Sequence, residues 1–211
     1  LCATGATINL FDMLQGTPDG GGTWTNSTSN TVLDTFDPTT NQADVLTYTV
    51  AGIAPCPHDA ATVVVNLTDE PNAGSDAILN LCISGDPLDV FPSLGGADLG
   101  GHWSGPGGAT FNGIFAPGTN TPGAYVYEVT GTAPCPNASS TITVTQLTDP
   151  DAGADGGTTL CSSNGPVALF ALLGGTPDPG GIWLNSMYTP IGAQYDPATQ
   201  PSDTLLYVLT V

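Results

Sequence analysis

Five thiols carry most of the reactive chemistry this sequence offers: Cys2, Cys56, Cys82, Cys135 and Cys161. Thiols form disulfides, hold metals or act as nucleophiles, and their spacing helps to separate these roles. No Cys-x-x-Cys step and no Cys/His cluster occurs, so the pattern does not read as a zinc site. Cys2 precedes Cys56 by 54 positions and Cys82 precedes Cys135 by 53. Both second cysteines lie in an Ala-Pro-Cys-Pro turn, eight residues after a tyrosine. The spacing predicts the pairs Cys2–Cys56 and Cys82–Cys135, with the partner of Cys161 outside the chain. In a small domain with a marginal core such a bond adds roughly 2–4 kcal/mol. It also implies an oxidising compartment.

Carboxylates are the second candidate group. Asp69, Glu70 and Asp76 gather near one Pro/Gly junction, and Asp149, Asp151 and Asp155 near the next. Oxygen ligands of this kind suit calcium, which would stiffen a hinge. The competing reading is that Asp, Asn and Gly make solvated turns. Asn26, Asn66 and Asn137 begin Asn-x-Ser/Thr acceptor triplets for glycosylation. Trp24, Trp103 and Trp183 could stack on sugar, but their strict period favours core packing. His58 and His102 occupy unrelated positions, and no Ser-His-Asp or Cys-His arrangement stands out. Paired carboxylates can hydrolyse glycosides, but no cleft can be inferred for them. The expectation is a non-catalytic chain.

Composition sets the limits on partners. The 211 residues include no Lys or Arg, 19 Asp or Glu and two His, a formal charge of −19. Nothing here can attract nucleic-acid phosphates or anionic lipid electrostatically. No apolar run is long enough to span a membrane as a helix. Each carboxylate must be solvated, hydrogen-bonded or metal-bound, because no Lys or Arg is available to pair with it. With 28 Gly, 19 Pro and 40% hydrophobic residues, the chain reads as short strands joined by tight turns.

The elements that must position these groups recur along the chain. Trp24, Trp103 and Trp183 lie 79 and 80 residues apart, each two residues after a Gly-Gly pair. Asp19, Asp98 and Asp178 precede those pairs. Phe11, Phe91 and Phe170 keep the same register, as do Tyr48, Tyr127 and Tyr207. An aromatic-x-Pro step recurs at Phe36, Phe115 and Tyr195. Val63 and Val65, then Ile142 and Val144, alternate with polar residues as half-buried strands do. The predicted fold is all-β: tandem Ig-like Greek-key sandwich repeats of about 80 residues with one disulfide per repeat. The expected modules are 1–70 without its first strand, a complete 71–150, and 151–211 without its last strand. Such a chain would be a segment of a longer array.

The phrases Pro71-Asn72-Ala73-Gly74-Ser75-Asp76, Gly100-Gly101-His102-Trp103 and Gly131-Thr132-Ala133-Pro134-Cys135-Pro136 resemble Ig-like repeats of very large Bacteroidota surface proteins. Proteins of that kind are often gliding-motility-associated or adhesin-like and exported by the type IX system. The resemblance spans the chain and implies an extracellular, cell-surface stalk, adhesin or filament; no cofactor is expected beyond the calcium ion that the junction carboxylates could hold. Neighbouring repeats, like subunits or surface glycans would be its partners. Asp203-Thr204-Leu205 is similar to the O-glycosylation triplet of the same bacteria, with Thr204 as acceptor. A carbohydrate-binding β-sandwich module is the alternative. Because every copy carries the same sign of charge, side-to-side association should strengthen with added salt or divalent ions, as light scattering would read. Indifference to ionic strength would contradict this.

Overall fold

The computed structural model describes residues 1–209. Its chain forms two compact units, one of residues 1–81 with 85–146 and the other of 82–84 with 147–211.

The first unit holds two sandwiches, each with its own core. In the first, strands β1 (Ile8–Asn9), β2 (Thr23–Thr25), β3 (Thr31–Val32), β4 (Thr35–Phe36), β5 (Asp44–Val50) and β6 (Asp59–Val65) follow in order. One sheet runs β3-β2-β5-β6 and faces the pair β1-β4. That order matches C′-C-F-G opposite B-E in an immunoglobulin sandwich. The second contains β7 (Ala77–Cys82), β8 (Leu88–Asp89), β9 (His102–Ser104), β10 (Thr110–Phe111), β11 (Ile114–Phe115), β12 (Gly123–Val129) and β13 (Ala138–Leu147). Its large sheet, β10-β9-β12-β13-β7, has the same order plus an edge strand, and β8-β11 forms the opposite face. In the second unit lie β14 (Val167–Ala168), β15 (Ile182–Leu184), β16 (Pro190–Ile191), β17 (Gln194–Tyr195) and β18 (Leu206–Val208), as sheets β16-β15-β18 and β14-β17.

The periodic aromatic residues are the cores. Trp24, Trp103 and Trp183 sit directly across the ladder from Tyr48, Tyr127 and Tyr207, with ring centroids 5.1, 5.0 and 5.1 Å apart. Phe11, Phe91 and Phe170, each on a single 3-10 turn, meet the same tyrosines edge-on. Val63, Val65, Ile142 and Val144 are buried, as the period-two pattern predicts.

The Gly-Gly pair has a steric cause. The first glycine of each pair has a left-handed φ: 83° at Gly21, 93° at Gly100 and 102° at Gly180. At the second, a Cβ would lie within about 2.7 Å of the tyrosine ring: 2.6 Å at Gly22, 2.6 Å at Gly101 and 2.7 Å at Gly181. The freed N–H donates to the tyrosine hydroxyl at 2.8, 2.8 and 2.9 Å. That hydroxyl donates in turn to the carbonyl of Asp19, Asp98 or Asp178 at 3.0, 2.8 and 2.8 Å. Asp98 and Asp178 also fasten the linker. The Asp98 carboxylate accepts from Asn72 N–H, and that of Asp178 from Asp151 N–H.

The outermost segments of the first and last sandwiches differ from their counterparts in the middle one. Residues Leu1–Ala3 already run beside the end of the first sandwich's last strand, with Cys2 in a parallel bridge to Thr68. Thr68 N–H donates to Leu1 O and Ala3 N–H to Thr68 O, both at 2.8 Å. The final part of an opening strand is therefore in place. In the second unit, residues 156–160, which correspond to β7, form no strand. β7 is held by β13, and among the described residues no strand follows β18 to do the same.

Removing the hydroxyl in Tyr127→Phe orphans the Gly101 N–H and should cost about 1–3 kcal/mol in urea unfolding. Gly101→Ala should cost at least as much, since its Cβ would also meet Glu128 O at 2.5 Å. Wild-type stability in both variants would contradict the role assigned to this hydroxyl.

Candidate functional site

The structure bonds Cys2 to Cys135, with Cα atoms 4.9 Å apart and a sequence separation of 133. Cys56, Cys82 and Cys161 are free and exposed. The expected pairs Cys2–Cys56 and Cys82–Cys135 are therefore corrected. Strand geometry explains why. Cys2 lies beside Thr68, after the last strand, whereas Cys56 lies in the turn before it. Seven residues of β6 alone span about 20 Å, and a disulfide needs Cα atoms within roughly 7 Å. The two cysteines sit at opposite ends of one sandwich. In the second, β13 is ten residues long. It separates the Cys135 turn from the end near Cys82, where Ile83 N–H donates to Leu147 O.

The bond that does form joins one sandwich to the next. Leu1 and Asn66–Thr68 set the position of Cys2: the Leu1 backbone nitrogen donates to Asn66 O at 2.7 Å. Cys135 is set by its turn, in which Cys135 N–H donates to Thr132 O and Gly131 N–H to the Asn137 amide oxygen. Its sulfur lies 3.2 Å from Thr68 O. Both half-cystines are buried. Closing a loop of this size stabilises by about 5 kcal/mol on a chain-entropy estimate. The bond is a second covalent tether between the two sandwiches, beside the Asp69–Asn72 linker.

The junction carboxylates are not brought together. Among the described residues no three His, Cys, Asp or Glu side chains could share a metal ion. Asp76 accepts from Thr141 N–H and Asp149 from the Ser84 hydroxyl, each at 2.7 Å. Asp151 accepts from Gly153 N–H at 2.8 Å. Asp69, Glu70 and Asp155 are exposed. Asp76 and Asp151 cap backbone N–H groups and Asp149 a hydroxyl, which is how a chain without Lys or Arg satisfies them. Elsewhere hydroxyls serve the same end. The Thr39 hydroxyl holds the Asp37 carboxyl below its ordinary range, and those of Ser27 and Ser186 do so for Asp44 and Asp203.

Of the acceptor residues, Asn26 is a turn residue whose amide oxygen accepts from Thr28 and Asn30 N–H. The Asn137 amide donates to Glu128 at 2.6 Å. Asn66 and Thr204 are exposed. His58 is the counterpart of Asn137: its Nδ1 accepts from Gly52 N–H at 3.1 Å. The tryptophans pack into the cores: Trp24 and Trp183 are buried and Trp103 is partly buried.

A shallow groove recurs in the first unit. On the first sandwich it has a volume of about 680 Å³ and is lined by Thr31, Thr35, Asp37, Gln42 and Asp44 around Leu33, itself 75% exposed. On the second, Thr110, Phe111, Asn112 and Asn120 line the same place. This groove is not legible in the sequence, because its walls are ordinary turn residues.

No protein-family model matches the chain, and no curated protein is significantly similar to it. No helix among the described residues is long and apolar enough to cross a membrane.

Gly131→Ala would place a Cβ 2.2 Å from Pro136 O and distort the Cys135 turn. It should lower the fraction of chains with a closed Cys2–Cys135 bond, read by thiol titration. Cys135→Ser should destabilise the first unit by several kcal/mol, and reductant should do the same to the wild type. Equal unfolding midpoints with and without reductant would contradict this.

Proposed function

We propose that the chain is a non-catalytic, extracellular structural segment, a run of β-sandwiches that forms a stalk or filament at a bacterial cell surface. The observation that carries this reading is the Cys2–Cys135 bond, which joins two sandwiches rather than stapling one. A bond across a junction resists bending and extension, and disulfides persist in oxidising compartments. The acidic, cation-free composition supports the same reading. It keeps segments soluble and gives trypsin-like proteases no site. The resemblance to Bacteroidota surface repeats supports a surface location and type IX export. A second reading, a module that binds surface glycan, is favoured by the groove found at equivalent places on two sandwiches.

Antibodies to this chain should label intact producing cells. In single-molecule pulling, reductant should release about 450 Å of extra extension, the length held behind 133 residues. Protein confined to the cytosol with Cys2 and Cys135 as thiols would end the structural reading. Saturable binding on a glycan array, lost in Asp44→Ala, would favour the second.

A further inference from the structure

The three exposed thiols stand at positions equivalent to the bonded ones. Cys56 corresponds to Cys135, and the turn holding it is already shaped for a bond. Cys56 N–H donates to Ile53 O at 2.8 Å, as Cys135 N–H does to Thr132 O at 2.9 Å. Gly52 N–H donates to His58 Nδ1 where Gly131 N–H donates to Asn137. A Cβ at Gly52 would meet Pro57 O at 2.1 Å, and one at Gly131 would meet Pro136 O at 2.2 Å. The two turns therefore have one conformation, whether or not the sulfur is bonded.

Cys82 and Cys161 correspond to Cys2. The residue after Cys82 donates to a carbonyl at the end of the last strand, Ile83 to Leu147, as Ala3 does to Thr68. Asn164 N–H donates to Cys161 O at 2.9 Å, as Gly5 N–H does to Cys2 O at 2.9 Å. The observed bond runs from an opening cysteine to the turn cysteine of the following sandwich. A turn eight residues after Tyr207 falls past Val211, so the matching partner of Cys82 is not within these residues.

We propose that Cys56, Cys82 and Cys161 are half-sites of the same junction clip, taken up by further sandwiches of this kind. Cys56 receives the opening cysteine of a preceding sandwich, and Cys82 and Cys161 each receive the turn cysteine of a following one. Within two copies of this chain the compatible pair is Cys161 of one with Cys56 of the other, a head-to-tail link. Each bond forms by thiol–disulfide exchange with a small-molecule disulfide such as oxidised glutathione. One thiolate attacks and expels one glutathione thiol, and the second protein thiolate then displaces the other. Two protein thiols are oxidised and one glutathione disulfide is reduced. The proposal rests on the structural reading above, and it adds that every junction is clipped.

Mixed ¹⁴N and ¹⁵N chains are incubated with oxidised glutathione at high salt, which screens the −19 charge on each copy. Products are run on non-reducing gels and mapped after cleavage at Asp and Glu. A ladder with mixed-isotope Cys56–Cys161 peptides, lost in Cys56→Ser and in Cys161→Ser, supports joining by a second copy. Material isolated from cells that runs as one chain, with Cys56 and Cys82 bonded to other repeat peptides, supports joining within a longer chain. A Cys56–Cys82 bond inside one chain overturns the proposal. So do three persistent thiols beside an intact Cys2–Cys135 bond, a result that leaves the structural reading standing. Loss of the Cys2–Cys135 bond itself in native material would count against that reading instead.

Discussion

Tyr48, Tyr127 and Tyr207 each press a ring onto a glycine that has no room for a side chain, and each hydroxyl both receives the glycine N–H and gives to an aspartate carbonyl. That contact ties strand β5, β12 or β18 to the turn before the tryptophan strand. It also fixes the tryptophan across the ladder and leaves the phenylalanine turn to close the core from the other side. A polar atom buried this way must be fully bonded, and all three are. In Asp98 and Asp178 the same residue that accepts from the hydroxyl through its carbonyl also holds the incoming linker through its carboxylate. The core and the junction thus meet at one residue.

Cohesion in this chain owes nothing to Lys or Arg. Every carboxylate repels every other, and solvent, backbone N–H groups, hydroxyls and amides are what offset it. The structure answers with short side chains, Asp, Asn, Ser and Thr, that cap turns two to four residues away, as at Asp37 with Thr39 and Asn26 with Thr28. Those local bonds make stiff turns but reach nowhere across a junction. A covalent bond between sandwiches supplies what ion pairs cannot.

Much of this was legible in the sequence, for physical reasons that also mark where legibility stops. The aromatic landmarks could be read because a packed tryptophan and its tyrosine must keep register with the strands that carry them. Alternation at Val63–Val65 and Ile142–Val144 read correctly as strand for the same reason. Cysteine pairing could not be read this way. A period shows which cysteines are equivalent, not which are near, and the similar intervals of Cys2 to Cys56 and Cys82 to Cys135 fit a bond inside a module as well as one between modules. Only the parallel placement of Cys2 beside Thr68 decides it. The junction carboxylates misled similarly: Asp76, Asp149 and Asp151 each lie near other carboxylates in sequence but are spent on separate backbone or hydroxyl partners.

The clip has one more consequence, for damage. The connection between the first two sandwiches passes through Asp69 and Glu70, both exposed and open to an acid-directed protease. Cys2 lies before that segment and Cys135 well after it. A peptide bond severed there leaves both pieces tethered through sulfur, so the two sandwiches stay joined after a nick that would part an ordinary string of domains.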